Sequence, residues 1–177
     1  MNAELESKLN AKLVQDGCMI TVSGKLIDLW HPDKDLIDID DIAHGLANNC
    51  RWNGHSQMFW SVAQHCCMMY DIAPEGKKMT FLMHDAEEAY WGDIIKPIKN
   101  KIQESCPEII DLMHLMRDII FEKYGIEKES PTSKYADNKC LYWEFENIIK
   151  NRGYVKFWSP VKAKRKFLKR FYKEVEK

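Results

Sequence analysis

Apolar positions recur at intervals of three and four along most of this chain, the mark of helices that bury one face. Ile39, Ile42, Ala43 and Leu46 predict a helix over 38–49, with acidic residues in a first turn that favours negative charge. Asn53-Gly54 interrupts the pattern. Phe59, Val62, His65, Cys66 and Met69 share one side of a second helix over 58–72, which stops before Pro74-Glu75-Gly76. Phe81, Leu82, Ala86 and Ala89 predict a third over 77–91, ended by Gly92, and Pro97 then falls in a short connection. Ile109, Leu112, Met113, Met116 and Ile120 mark a long helix over 105–124 with Gly125 as its stop. Further helices are predicted over 132–150 and 159–175. Near the start, residues 3–15 read as a short polar helix or an ordered tail. Met19-Ile20-Thr21-Val22 and the run Lys25 to Trp30 flank Ser23-Gly24, which predicts a small hairpin stopped by Pro32-Asp33. The pattern gives an all-α class: a single compact helical bundle with a minor N-terminal β-hairpin, one domain over 1–177.

Composition narrows the function classes. A length of 177 residues fits one domain of ~150 residues better than two. Apolar residues at 45% and aromatics at 11% exclude a mostly disordered chain. The 26 Lys+Arg against 27 Asp+Glu leave a net charge of −1, so charge balance gives no support to nucleic-acid binding by the whole chain. No apolar run approaches the ~18 residues of a transmembrane helix, so no membrane partner is expected. Met1-Asn2-Ala3-Glu4-Leu5-Glu6 has neither region of a signal peptide, and the expected compartment is the cytoplasm.

Several residue types have plain structural readings. The six cysteines form no C-x-x-C pair and read as small buried hydrophobes. Met68, Met69, Met79 and Met83 read as packing, Trp60, Trp91, Trp143 and Trp158 as core or interface, and His31, His44 and His114 as surface or capping residues. Between Lys162 and Lys173 lie seven basic residues and no acid, with Phe167, Leu168 and Phe171 at helical spacing. That stretch reads as an amphipathic helix docked on the domain, its cationic face solvated.

Histidine and carboxylate concentrate in Leu82-Met83-His84-Asp85-Ala86-Glu87-Glu88, inside an apolar pattern where adjacent charges are costly unless paired or bound to metal. Neighbours on a helix point ~100° apart, so His84 and Asp85 can meet on one ion only if other helices supply further ligands. His65, on the apolar face of its helix, and Asp137, polar within a helix-forming stretch, are the candidates. Two imidazoles and two carboxylates suit a divalent transition ion (Zn²⁺, Co²⁺ or Mn²⁺) better than Ca²⁺ or copper(I). The reading requires the Asp137 carboxylate to lie beside the 84–85 pair in space.

These residues sit in a longer string: Asp41-Ile42-Ala43, Cys50-Arg51-Trp52-Asn53-Gly54-His55, Phe59-Trp60-Ser61-Val62-Ala63-Gln64-His65, His84-Asp85-Ala86-Glu87-Glu88-Ala89-Tyr90, Gly92-Asp93-Ile94, Pro97-Ile98-Lys99 and Ala136-Asp137. Over residues 19–150 it resembles the HD-domain metal-dependent phosphohydrolases, in particular the branch of 5′-deoxynucleotidases and small phage-type deoxynucleotide triphosphohydrolases. The resemblance implies an HD-type helical bundle with His65, His84, Asp85 and Asp137 as metal ligands. It implies that Glu88 orients or activates water and that Asp93 is a second acidic catalytic residue. It places Arg51 and Lys99 on phosphate, Trp52 and Pro97 beside the base, and His55 near phosphate. The 19 positions from His65 to His84 are short for the branch, and the basic C-terminal segment has no counterpart there.

The activity implied is hydrolysis of a dNTP of the dATP type, by water bound to the ion, with release of triphosphate. Mg²⁺ would accompany the substrate phosphates as an additional ion. The interval from Asp85 to Asp137 is compact, as in the small phage-type enzymes. The alternatives are a 5′-deoxynucleotidase acting on dNMPs and a nucleic-acid-binding or regulatory module with a structural metal. A di-iron oxygenase on the same scaffold would need further His ligands, and His114 alone stands between the central pair and Asp137. The implied partners are the deoxynucleotide and further copies of the chain, in the host's cytoplasm if the chain is phage-encoded.

Overall fold

Strands β1 (Cys18–Ile20) and β2 (Leu26–Asp28) pair antiparallel, Met19 opposite Ile27. Both are shorter than the runs that predicted them. The Thr21 N–H donates to the Lys25 carbonyl at 2.9 Å and the Gly24 N–H to that of Thr21 at 3.0 Å, closing a turn that carries Val22 out to solvent. The Ser23 N–H and hydroxyl both donate to the Asp41 carboxylate, at 3.0 and 2.6 Å, which pins this turn to the first helix. The computed structural model describes residues 17–128, 130–150 and 153–177. The helix or tail expected over 3–15 lies outside them.

The helices are α1 (Ile39–Asn48), α2 (Val62–Ile72), α3 (Lys78–Met83), α4 (Glu88–Trp91), α5 (Lys96–Ser105), α6 (Pro107–Lys123), α7 (Pro131–Glu144) and α8 (Pro160–Val175), with one π-helical turn over Phe145–Ile149. Helix α1 is capped by the Asp38 side chain and α2 by that of Ser61, so the second helix begins later than its apolar spacing predicts. Met58 and Phe59 are exposed on the loop before it. Pro97 lies in the first turn of α5, not in a connection; the missing proline N–H costs nothing there. Helix α5 has no fully buried residue, so periodicity gave no sign of it. On α6, Ile110, Met113, Met116, Ile120 and Phe121 are buried, while Ile109 and Leu112 are only half-buried.

The third predicted helix is broken. Over 84–87 the amides of Ala86 and Glu88 bond to carbonyls three residues back, Met83 and Asp85, at 3.0 Å each. The Phe81 carbonyl, meanwhile, accepts from the His84 ring at 2.9 Å. This tighter winding separates α3 from α4 at the His-Asp pair.

Helix α2 sits centrally, packed against α1, α3, α7 and α8, while α5 packs on α6. Helix α8 lies across α1, α2 and α3 and buries Ala163, Phe167 and Phe171, as its amphipathic pattern predicts. The buried apolar residues form one main cluster, with Met69, Ala73, Phe81 and Cys140 as a satellite. Gly45 permits the contact of α1 with α4: a Cβ there would stand 2.8 Å from the Ala89 carbonyl oxygen. All six cysteines are unbridged; Cys66, Cys67 and Cys140 are buried and the other three half-buried. Among the described residues no helix is long and apolar enough to cross a membrane.

Candidate metal centre

Three separated segments meet where α2, the 84–87 turn and α7 approach one another. The Nε2 atoms of His65 and His84 are 3.1 Å apart. Asp137 Oδ1 lies 3.2 Å from His65 Nε2 and 3.8 Å from that of His84. Asp85 Oδ2 lies 3.1 Å from His84 Nε2 and 3.6 Å from that of His65. The four side chains singled out in the sequence are therefore brought together. Both histidines are buried, whereas the Asp137 side chain keeps 39% of its exposure and is the open edge of the cluster.

The outer nitrogens are already committed. His84 Nδ1 donates to the Phe81 carbonyl, which can only accept. His65 Nδ1 donates at 2.7 Å to Glu144 Oε1. Both rings thus turn Nε2 inward, and two such atoms 3.1 Å apart need a cation between or beside them, a proton or a metal ion. Bonds of ~2.1 Å at tetrahedral or octahedral angles set two ligand atoms of one ion about 3.0–3.4 Å apart, so the residues present fit a metal. His65, His84 and Asp137 form one group able to hold an ion; Cys66, His84 and Asp85 form a second that shares His84. Burial pushes the Cys66 thiol up to about 11, which favours the nitrogen and oxygen set.

Electrostatics around the cluster are strongly uneven. Burial pulls His84 towards neutrality, but the Asp85 charge and the hydrogen bonds that Asp137 and Asp85 accept from it outweigh that, so its pKa lies well above the usual imidazole value. Burial also pushes the carboxylates up, yet Asp85 beside His84, and Asp137 hydrogen-bonded to both histidines, end well below the usual range. Glu88 goes the other way: burial and the Asp85 charge raise it well above the ordinary carboxylate value. One Glu88 oxygen takes the Lys99 ammonium at 3.0 Å; Oε2 is buried and has no hydrogen-bond partner among the described residues. Asp93 follows Gly92, whose left-handed φ of 79° ends α4. Burial raises the Asp93 carboxyl while the nearby Arg51 charge opposes it.

Glu144 has no counterpart in the sequence reading. It is fully buried, and Arg51 Nε, Trp52 Nε1 and Trp60 Nε1 donate to it at 3.0, 3.0 and 2.9 Å, besides His65. Burial pushes this carboxyl up, but the His65 and Arg51 charges and these bonds hold it at about 2. Arg51 Nη1 then reaches within 3.5 Å of Asp85 Oδ2. The loop from Arg51 to Trp60 is closed by the Arg51 N–H to Trp60 carbonyl bond at 2.9 Å, which sets both side chains on the same carboxylate. Within it Trp52 and Asn53 hold left-handed φ values of 59° and 51°, a conformation costing about 1–2 kcal/mol per residue. The Trp52 indole, read as a base platform, is tied by its N–H to Glu144 and lies over Phe145 with centroids 6.2 Å apart. A sequence signal for Glu144 did exist: it stands seven residues after Asp137, on the same face of α7.

A cavity of about 360 Å³ opens beside His84, Asp85 and Asp137, and Lys96, Lys99, His114, Arg117 and Lys134 line it. Lys96 and Lys99 come from α5, His114 and Arg117 from α6, and Lys134 from α7. Only Lys99 had been picked out. His114, read as a surface histidine, is exposed but faces this cavity. Pro97 and His55 are exposed and do not join the cluster.

No protein-family model matches the chain. It is 37% identical over 144 residues to the uncharacterized protein YfdR of Escherichia coli (strain K12), covering 81% of this chain and 78% of that protein. It is 35% identical over 99 residues to an uncharacterized protein of Rhodobacter capsulatus, covering 51% of this chain and 50% of that one.

Proposed function

The chain belongs to the family of the uncharacterized Escherichia coli protein YfdR, and we propose from the site that it is a metal-dependent phosphohydrolase of deoxynucleotides, of the HD-domain type. The observation that carries this reading is the approach of Asp85 and Asp137 to the paired Nε2 atoms of His65 and His84, at 3.1–3.8 Å, at the edge of a cation-lined cavity. A nitrogen and carboxylate set with an exposed member suits Zn²⁺, Co²⁺ or Mn²⁺ and leaves room for further ligands, unlike closed, Cys-rich structural zinc sites. When bound, a divalent ion supplies the charge that polarises a phosphoryl group and acidifies water.

The chain's own groups do the rest. Glu88 sits near the cluster with a raised proton affinity and one oxygen without a hydrogen-bond partner among the described residues, which suits it to take a proton from the attacking water and pass it on. Asp93 is a second acid beside Arg51. Arg51 is buried, held by Glu144 through Nε and 3.5 Å from Asp85 through Nη1, and its planar guanidinium is the group we assign to a phosphate oxygen beside the centre. Lys96, Lys99, Arg117 and Lys134 supply mobile and fixed cations for the remaining phosphates. Four cations along one cavity favour a triphosphate tail, hence a dNTP, over a single phosphate; Mg²⁺ would travel with that tail. Base choice falls to neighbouring surfaces, among them Trp52, Pro97 and His55. Association of copies and a cytoplasmic setting belong to this same proposal.

The test is a screen of all dNTPs and dNMPs with Zn²⁺, Co²⁺, Mn²⁺ and Mg²⁺ supplied separately, the products being read by phosphorus NMR. Inorganic triphosphate from a dNTP is expected. Orthophosphate from dNMPs alone would make the protein a 5′-nucleotidase, and no turnover with any ion would end the phosphohydrolase reading.

A further inference from the structure

We propose that Glu144 is a positioning residue for the metal centre, fixing which nitrogen His65 presents and where Arg51 stands, and thereby setting the affinity for the ion. This rests on the metal reading above. The Glu144 carboxylate spends Oε1 on His65 Nδ1 and Trp60 Nε1, and Oε2 on Arg51 Nε and Trp52 Nε1. A carboxylate has about four lone-pair sites, so all are occupied and rotation of the group would break several bonds at once. Two of the donors reach the ligand cluster with their far ends: His65 through Nε2, 3.2 Å from Asp137, and Arg51 through Nη1, 3.5 Å from Asp85. The indoles of Trp60 and Trp52 fill the remaining sites on Oε1 and Oε2.

The position in the chain serves the same end. Glu144 closes α7 on the face that carries Asp137, and the π-helical turn over Phe145–Ile149 begins at the next residue. One helix therefore delivers both a candidate ligand and the acceptor that orients a second ligand from α2. Tying a neutral imidazole by Nδ1–H to a carboxylate fixes its tautomer and makes Nε2 a stronger donor to metal. Glu144→Gln keeps the shape but replaces one acceptor oxygen with an N–H₂ that faces N–H donors, so the His65 ring or the Arg51 fork must turn away.

The experiment is titration of metal-free wild type and Glu144→Gln with Co²⁺, followed by the visible ligand-field spectrum and by calorimetry, with circular dichroism and thermal melting as an independent measure of fold. Binding about 10–100-fold weaker, with an altered spectrum in a folded variant, is expected. Equal Co²⁺ affinity and an identical spectrum with only a lower melting temperature would make Glu144 structural and overturn the proposal. Absence of Co²⁺ binding in wild type would instead remove the metal reading itself. Should Glu144→Gln not fold, ¹⁵N-histidine NMR of Zn²⁺-loaded wild type decides: coordination through His65 Nε2 with a slowly exchanging Nδ1–H supports the role, and coordination through Nδ1 refutes it.

Discussion

His65 and His84 each give one ring nitrogen to the scaffold and keep the other for the centre, so removing a ligand and removing a proton acceptor should have different effects. His84→Ala or Asp85→Ala is expected to lose both bound metal and turnover, measured by elemental analysis and by phosphate release. Glu88→Gln is expected to keep the ion and slow turnover about 10²–10⁴-fold; an unchanged rate would strip Glu88 of its part in proton handling. At this scale the sequence was informative wherever a residue was out of place. A histidine and a carboxylate inside an apolar helical pattern are anomalies in a single chain. Arg117 and Lys134 are not: each looks like an ordinary polar residue on a helix, and only the cavity distinguishes it, while Glu144 carried no more than its seven-residue spacing from Asp137 until its burial was seen.

Among elements, the amphipathic helices were legible because one buried face imposes a period, as on α1 and α8. Boundaries followed other forces. Ser61 started α2 by capping it, and the His-Asp turn broke a helix that hydrophobic spacing alone would continue. Helix α5 was invisible since it contributes cations to a cavity rather than apolar side chains to the core. The contact of α1 with α4 carries a prediction. Gly45→Ala would put a methyl 2.8 Å from the Ala89 oxygen and 3.0 Å from its Cα, both backbone-bound, so the helices must part. A loss of about 1–3 kcal/mol in denaturant unfolding is expected. Because the Glu88 carbonyl accepts from Asn49 Nδ2 at 3.2 Å on the same contact, a fall in kcat should accompany it. A variant as stable as wild type would show that the two helices are free to separate.

For the molecule as a whole, the centre is a joint between α2, the 84–87 turn and α7, so an ion there should link parts of the chain far apart in sequence. A ligand that binds only the folded state adds about 2.7 kcal/mol at a hundredfold excess over its dissociation constant. Zn²⁺ or Co²⁺ should therefore raise the melting temperature of metal-free protein in scanning calorimetry, and a chelator should reverse the rise. A melting temperature indifferent to both would place the ion, if any, outside the joint.

The sequence by itself determined the helical class, the small hairpin, the docked C-terminal helix and the four side chains of the candidate centre, because each follows from local periodicity or from polar residues where apolar ones are expected. Tertiary structure alone decided what surrounds that centre. The Glu144 hub at the end of α7 gathers donors from a loop and from α2, and the cavity gathers cations from α5, α6 and α7. Such convergence depends on how helices cross, and helix crossing leaves no period in the order of residues along any one of them.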